Sequence, residues 1–448
     1  MEPNVLLEAL IEEAGVSRAG LAGHVNRAGT TRGVSLRYEH TAVSRWLKGQ
    51  RPRGQVPDLI CEVLAGRLGR PVGLDDIGMG ARAAPAAAGA GGASLTGFVE
   101  RATALWRSDD QRRPHLATVP AVTGTTAVIP VWEWENPPED TDVSRPGPSR
   151  VGPADIAMLK AARDHYEQLY RKAGGIATRP RIVRFLDAEA APLLRGGYSD
   201  SLGRALHRAT AGLVAVAGIC AYDSDAHGLA QRYFHQALRL AKSSGDRGLG
   251  GYVIALLVTQ SLFLGDHRRS IAFAEAALRA AGDHLTPALA ADLHAMQAKA
   301  YAKLGDGTNA RVCIGRAEAQ ADRIHAGREP DETGYVQPGL VDVQVAEALL
   351  GLGDLPAARA HAASAVRAPA HDRGRVHRLA MLSHIELLQG EADRAAGTAA
   401  EMATRARGME SQRLRDRLRQ VRRELAESGC ADAVRTTDLI DEALLVPL

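Results

Sequence analysis

Between His40 and Arg53 the chain reads HTAVSRWLKGQRPR, in which Arg45, Lys48, Arg51 and Arg53 are cationic and no residue is acidic. Such a set can hold a polyanion. On a helix, Val43 and Trp46 are three apart and share a face, which leaves His40, Thr41, Ser44, Arg45 and Lys48 on or near the opposite side. A helix that enters the major groove of DNA needs this division: polar groups at its N-terminal end to reach base edges, apolar groups behind to anchor it, and flanking cations for phosphates. His40, Thr41, Ser44 and Arg45 are therefore the candidate base readers. An arginine paired with guanine O6 and N7 contributes roughly 1 to 3 kcal/mol of discrimination. Arg32, Arg37, Lys48, Arg51 and Arg53 are the candidate phosphate contacts, which set affinity and salt dependence rather than sequence choice.

The charge is local. The whole chain carries a net charge of only +3, yet the stretch from Arg27 to Arg53 has seven Lys/Arg against one acid, Glu39. The remainder of residues 1–80 has three basic residues and eight acids. One face of this segment is thus positive, as a nucleic-acid footprint requires.

Short helices must position that face. Leu6, Leu7, Leu10 and Ile11 have one-face helical spacing, and Gly15 stops the helix. Ser17 is an N-cap for a second helix through about Arg27, with Leu21 and Val25 inward. Residues 28–39, containing Gly29, Thr30, Thr31 and Gly33, read as a long connection to a third helix from His40 to Lys48 that ends at Gly49. A fourth, from about Gln55 to Leu68, buries Leu59, Ile60, Val63, Leu64 and Leu68, and five helices are expected over residues 1–80.

Residues 81–93, ARAAPAAAGAGGA, have almost no side chain large enough to bury and read as a flexible tether. A short amphipathic helix, LTGFVERATALW, comes next. Residues 108–153 are rich in Pro, Asp and Arg, with an expected strand TAVIPVWEWEN and with Trp132 and Trp134 as docking points. The whole of 81–153 is expected to act as a largely mobile or irregular linker.

Residues 154–448 read as helical and repetitive. LGD recurs at 264–266, 304–306 and 352–354, each time between two helices. With its glycine as register, the eighth place of successive units is Gly218, Val258, Ala298, Ala346 and Ser383. The twentieth is Ala230, Ser270, Ala310, Ala358 and Ala395; the twenty-fourth is Phe234, Ala274, Ile314, Ala362 and Ala399; the twenty-seventh is Ala237, Ala277, Ala317, Ala365 and Met402. Mostly small residues at fixed places are what close-packed helical hairpins need. The last helical stretch, ESQRLRDRLRQVRREL, puts Leu414, Leu418, Val421 and Leu425 on one face and reads as a solenoid cap with a solvated basic side.

Three resemblances follow from these residues. TAVSRWLKGQRPR resembles the recognition helix and following turn of the lambda-repressor/Cro-like helix-turn-helix family, though residues 28–39 are longer than that family's tight turn. The register resembles the tetratricopeptide repeat, lengthened here to about 37 to 48 residues per unit. Joined in one chain, and extended by GLAQRYFHQALRLAKSSGD, LGDHRRSIAFAEAAL and RGMESQRLRDRL, the pattern is similar to a group of actinomycete regulators of development and secondary metabolism. That group is more often linked with repression. The layout is also similar to peptide-sensing regulators of Gram-positive bacteria.

The resemblances imply an all-α protein: a five-helix helix-turn-helix head tethered to an α-solenoid of tetratricopeptide-like hairpins. The expected partner is double-stranded DNA bound by a cytoplasmic, nucleoid-associated homodimer. A peptide, small-molecule or protein effector is expected on the inner face of the first helices, at Tyr222, Asp223, Tyr252, Thr259, Asp292, Lys299, Lys303, Glu347, His377 and His384. The alternative is an interaction scaffold whose head binds protein. Catalysis is not expected, because GxxxxGK[ST], HExxH and GxSxG are all missing. Cys61, Cys220, Cys313 and Cys430 form no CxxC pair, and His227 and His235 near Asp223 and Asp225 read as solvated residues rather than metal ligands, so no cofactor or metal is expected. No run of about 18 apolar residues suggests a membrane span.

Overall fold

A computed structural model describes residues 4–31, 34–52, 55–68, 72–74, 76–79, 95–111, 115–136, 140–325, 327–336 and 339–445. Arg32, Arg53 and the expected tether at 81–93 lie outside these residues. The chain divides into two compact units, Met1–Ala90 and Gly91–Leu448. Both are all-α; among the described residues the only β pairing is two isolated bridges.

In the first unit, α1 (Val5–Glu13), α2 (Arg18–Thr31), α3 (His40–Leu47) and α4 (Val56–Leu68) surround one apolar core. Four helices, not five, are present among the described residues. After α4, residues 72–74 and 76–79 close the core as turns: Asp76 accepts the Gly73 N–H at 2.8 Å, Gly78 takes φ +62°, and Ile77 is wholly buried. α2 runs four residues past its expected end, to Thr31, and the hydroxyls of Thr30 and Thr31 donate back to the carbonyls of Asn26 and Arg27.

The second unit opens with α5 (Leu95–Asp110), α6 (His115–Thr118) and α7 (Thr125–Glu135). The expected strand TAVIPVWEWEN is thus a helix. Its Ala127, Val131 and Trp134 are spaced by four and three and are all buried, a helical stripe that the β-branched residues around Pro130 had masked. Nor is 95–152 a mobile linker where it is described. Trp106 is buried with its Nε1 donating to Gln236 at 2.9 Å, Trp134 is buried under the Arg247 guanidinium, and Val122 exchanges two hydrogen bonds with the Gln231 side chain. Of the two docking tryptophans expected, Trp134 docks and Trp132 is 61 % exposed. Residues 145–151 pair with 197–198 through both isolated bridges.

After α8 (Pro153–Ala173), α9 (Gly175–Phe185) and α10 (Ala191–Arg195), hairpin follows hairpin: α11 (Asp200–Asp223) with α12 (His227–Ser244), α13 (Arg247–Phe263) with α14 (His267–Ala281), and α15 (Pro287–Lys303) with α16 (Gly307–Ala321). Next come α17 (Leu340–Gly351) with α18 (Leu355–Arg367), α19 (Asp372–Leu388) with α20 (Ala392–Ala406), and α21 (Gln412–Glu427) with α22 (Ala433–Leu444). LGD is the turn between paired helices. Gly265, Gly305 and Gly353 take φ of +76°, +77° and +78°, and Asp266, Asp306 and Asp354 cap the next helix by accepting its third N–H.

All twenty residues of the repeat register are buried, none more than 8 % exposed. At the first crossing Gly218 makes room for the large Phe234 opposite, since a Cβ there would lie 2.5 Å from the phenyl ring. α11 is long and apolar enough to cross a membrane by length and composition, but 78 % of its apolar window is buried against neighbouring helices.

His207 sits inside this packing, its Nδ1 3.0 Å from Ser243 Oγ and its Nε2 3.5 Å from the Tyr198 hydroxyl. Burial, with Arg239 next, pushes its imidazole down to about 4. Folding therefore favours neutral His207. Its contribution is fully present above an unfolded value near 6.5 and is lost as pH falls towards 4, a loss of up to about 3 kcal/mol. Thermal melts are expected to show a midpoint that drops between pH 7 and 4. His207→Gln should flatten part of that drop, since half-buried His235, also pushed down to about 4 by desolvation, contributes with the same sign.

Candidate nucleic-acid interface and effector face

α3 is divided as its sequence requires. Ala42, Val43, Trp46 and Leu47 are buried, while His40, Thr41, Arg45 and Lys48 are exposed. Ser44 is half-buried and its hydroxyl donates to the His40 carbonyl at 3.0 Å. The helix ends in a paired C-terminal motif: Gly49, at φ +90°, donates to Trp46 and Gln50 donates to Arg45. Asn4 N–H adds a 2.7 Å bond to the Leu47 carbonyl, which ties α3 to the start of α1.

The connection before α3 is long but held. Asn26 of α2 clamps Tyr38 at two points, its Oδ1 accepting from Tyr38 N and its Nδ2 donating to Tyr38 O, both at 2.9 Å. Tyr38 in turn meets Trp46 edge to face at 5.2 Å. One asparagine thereby sets how α3 leaves the connection. Arg37 on the same segment is exposed, and Arg51 is exposed with a 3.5 Å contact to the Gly78 carbonyl. The sequence reading counted Arg27 in the positive stretch but missed its grouping with Arg67: each lies 2.6 Å from a ring nitrogen of His24. Burial, then these two guanidiniums, hold the His24 imidazole below its ordinary value. Arg67 lies 43 residues from His24, and no local spacing joins them.

The ten residues expected to line an open groove in the second unit separate into three groups. Tyr222, Asp223 and His377 lie in an interior joint: Asp223 is wholly buried and accepts from Gly175 N, Ser411 Oγ and Arg373. His377 is held well below its ordinary value by burial and by Arg373. Tyr252 and Asp292 are covered by residues 331–335: Tyr335 donates its hydroxyl to Asp292 and packs 5.9 Å from the Tyr252 ring. Asp223, Tyr252 and Asp292 are therefore corrected from groove lining to internal support, while Tyr222 and His377 beside them are half-buried; the segments that cover them are distant in sequence and carry no repeat signal.

Thr259 is half-buried and bonds to the Ala255 carbonyl, Lys299 pairs with Glu347 at 2.8 Å, Lys303 is exposed, and His384 pairs with Glu424 at 2.7 Å. His227 and His235 are not solvated either: His227 stacks on Phe263 at 5.0 Å, and His235 is half-buried with its Nε2 out of contact with solvent. Among the described residues no three His, Cys, Asp or Glu gather as a metal cluster. A cavity of about 1100 Å³ lies instead between α8, the end of α16, residues 327–336 and the start of α17, where Glu167, Glu318, Asp322, Glu329 and Asp342 outnumber Arg163 and Arg171.

By fold the protein is all-α, with a small helical unit followed by an α-solenoid. Residues 7–80 match the family model described as SP15 N-terminal domain, which spans the four-helix unit and not the solenoid. No curated protein matches the chain.

Asn26→Ala removes both halves of the clamp on Tyr38. At about 1 kcal/mol for each hydrogen bond, it is expected to destabilise the first unit by about 2 kcal/mol. Hydrogen exchange on the full chain should show faster exchange at 34–39 and within α3, with the solenoid unchanged.

Proposed function

We propose that the chain is a sequence-specific DNA-binding transcription regulator, with a lambda-repressor/Cro-like head and a tetratricopeptide-like solenoid that dimerises the protein, binds an effector, or both. The observation that carries this reading is α3. Its apolar side is consumed by the core, and its solvent side offers His40, Thr41, Arg45 and Lys48. Arg37 and Arg51 flank it, also exposed. A groove-reading helix needs that separation of anchor from reader.

Arg45 reads a base in this scheme, and Lys48, Arg37 and Arg51 hold phosphates. Ser44 has a hydroxyl already committed to the helix backbone, so it contributes as an acceptor or by shape. The repeat reading is supported by burial at every register place and by the Gly-Asp turns. The acid-rich cavity has the volume of a small-molecule or short-peptide site. The resemblance to actinomycete regulators favours repression of development or secondary metabolism, exerted at the nucleoid.

Gel shifts on promoter fragments at two salt concentrations test the reading. Arg45→Ala is expected to weaken specific binding by roughly 1 to 3 kcal/mol and relax choice at one base, while Lys48→Ala weakens all sequences alike and lowers the salt slope by about 1. Arg45→Ala binding as tightly and selectively as wild type overturns base reading by α3, and no DNA binding at all favours a protein-binding head. Light scattering is expected to report a dimer, whose two heads read half-sites about 34 Å apart or a multiple of it.

A further inference from the structure

Asp225 is the one non-glycine among the described residues with positive φ, at +67°. In the repeat register it stands where later turns have Gly265, Gly305, Gly353 and Gly390, all near +78°. The first turn of the array thus has an acid where backbone geometry favours glycine. Aspartate tolerates this region better than most residues, but strain of this kind persists only where the surroundings repay it.

The surroundings are a cage. Arg413 of α21, 188 residues downstream, pairs with the Asp225 carboxylate, which also accepts from His227 Nε2 at 2.9 Å. The Arg413 guanidinium lies 3.6 Å from the centroid of the Phe263 ring and 5.1 Å from that of Tyr222. His227 stacks on Phe263, and Tyr222 meets Phe263 edge on at 5.8 Å. A planar cation between aromatic faces, beside a carboxylate, is guanidinium recognition. Arg413 is 7 % exposed, yet its Nε and Nη1 have no hydrogen-bond partner. Phe263 remains 48 % exposed, which leaves a side of the cage open to solvent.

The same contact joins the end of the array to its beginning. Glu410 N–H donates to the Ala173 carbonyl at 2.8 Å, and Ile176 N–H donates to the Glu410 carbonyl at 3.2 Å. Ser411 and Arg373 both donate to buried Asp223. α8, α9 and α11 are thereby tied to α19 and α21.

We propose that Tyr222, Asp225, His227 and Phe263 form a guanidinium-binding site occupied in cis by Arg413, and that this occupancy is the latch holding the two ends of the solenoid together. A free guanidinium competes for the same site. With the latch open, residues 407–413 leave the α8–α9 junction and the inner face of the first two hairpins becomes accessible. The closure is independent of whether the head binds DNA.

Hydrogen exchange on the full chain tests it, with Arg413→Ala compared with wild type. The expected result is exchange at least tenfold faster at 174–176 and 410–414 with the helical circular dichroism retained. Millimolar methylguanidinium, far below denaturing concentration, should slow exchange at the cage residues 222–227 of Arg413→Ala by filling the site, while 174–176 and 410–414 stay fast because a free cation does not link α21 to the cage. Phe263→Ala in the Arg413→Ala background should abolish that protection. Unchanged exchange in Arg413→Ala, or protection of 222–227 that survives Phe263→Ala, overturns the proposal. Should Arg413→Ala lose its helical signal, Arg413→Lys decides: it retains the charge but not the planar stack, so an opened joint supports guanidinium recognition and a closed one refutes it.

Discussion

The solenoid depends on how closely its paired helices approach. Every register place is buried, and most hold alanine, serine or glycine. A larger side chain at any of them would separate a pair, and because each hairpin stacks on the next, the displacement would propagate along the array. The Gly-Asp turn serves the same constraint. A left-handed glycine reverses the chain in minimum length, and the aspartate after it starts the second helix before the backbone drifts from its partner.

Small residues bury little apolar surface each, and the chain is only 4 % aromatic. The large side chains are placed where they compensate. Trp106 and Trp134, brought in by α5 and α7, join Tyr233 and Phe234 of the first hairpin among the largest fully buried groups. Asp109 of α5 accepts from both Tyr233 and Arg179, which adds a charge-assisted bond to the apolar packing. Where it is described, the second part of what composition marks as a linker, 95–136, is a belt over the first hairpins.

The four-helix unit solves a different problem, that of presenting one helix with a clean outer face. α3 buries four of its eight residues. Its geometry is set from both ends: by Asn26 through Tyr38 before it, and by Gly49 and Asn4 after it. The long connection is thus compatible with a fixed helix, since a side chain of α2 supplies the hydrogen bonds that a tight turn would otherwise have made within itself.

The sequence by itself determined the local and periodic features: the amphipathic division of α3, its glycine stop, the hairpin register, the LGD turns and the buried stripe Leu414, Leu418, Val421 and Leu425. Each is a relation between residues a few places apart, or repeated at a fixed interval, so spacing alone exposes it. Only the tertiary structure decided the rest. That α7 is a helix depended on Ala127, Val131 and Trp134 finding partners, and β-branched propensity pointed the other way. Asp223 and Asp292 became interior groups, and Arg413 became the occupant of a cage, through contacts spanning 43 to 188 residues. Such contacts leave no periodic trace, because what pairs them is the path of the whole superhelix rather than any property of the residues between.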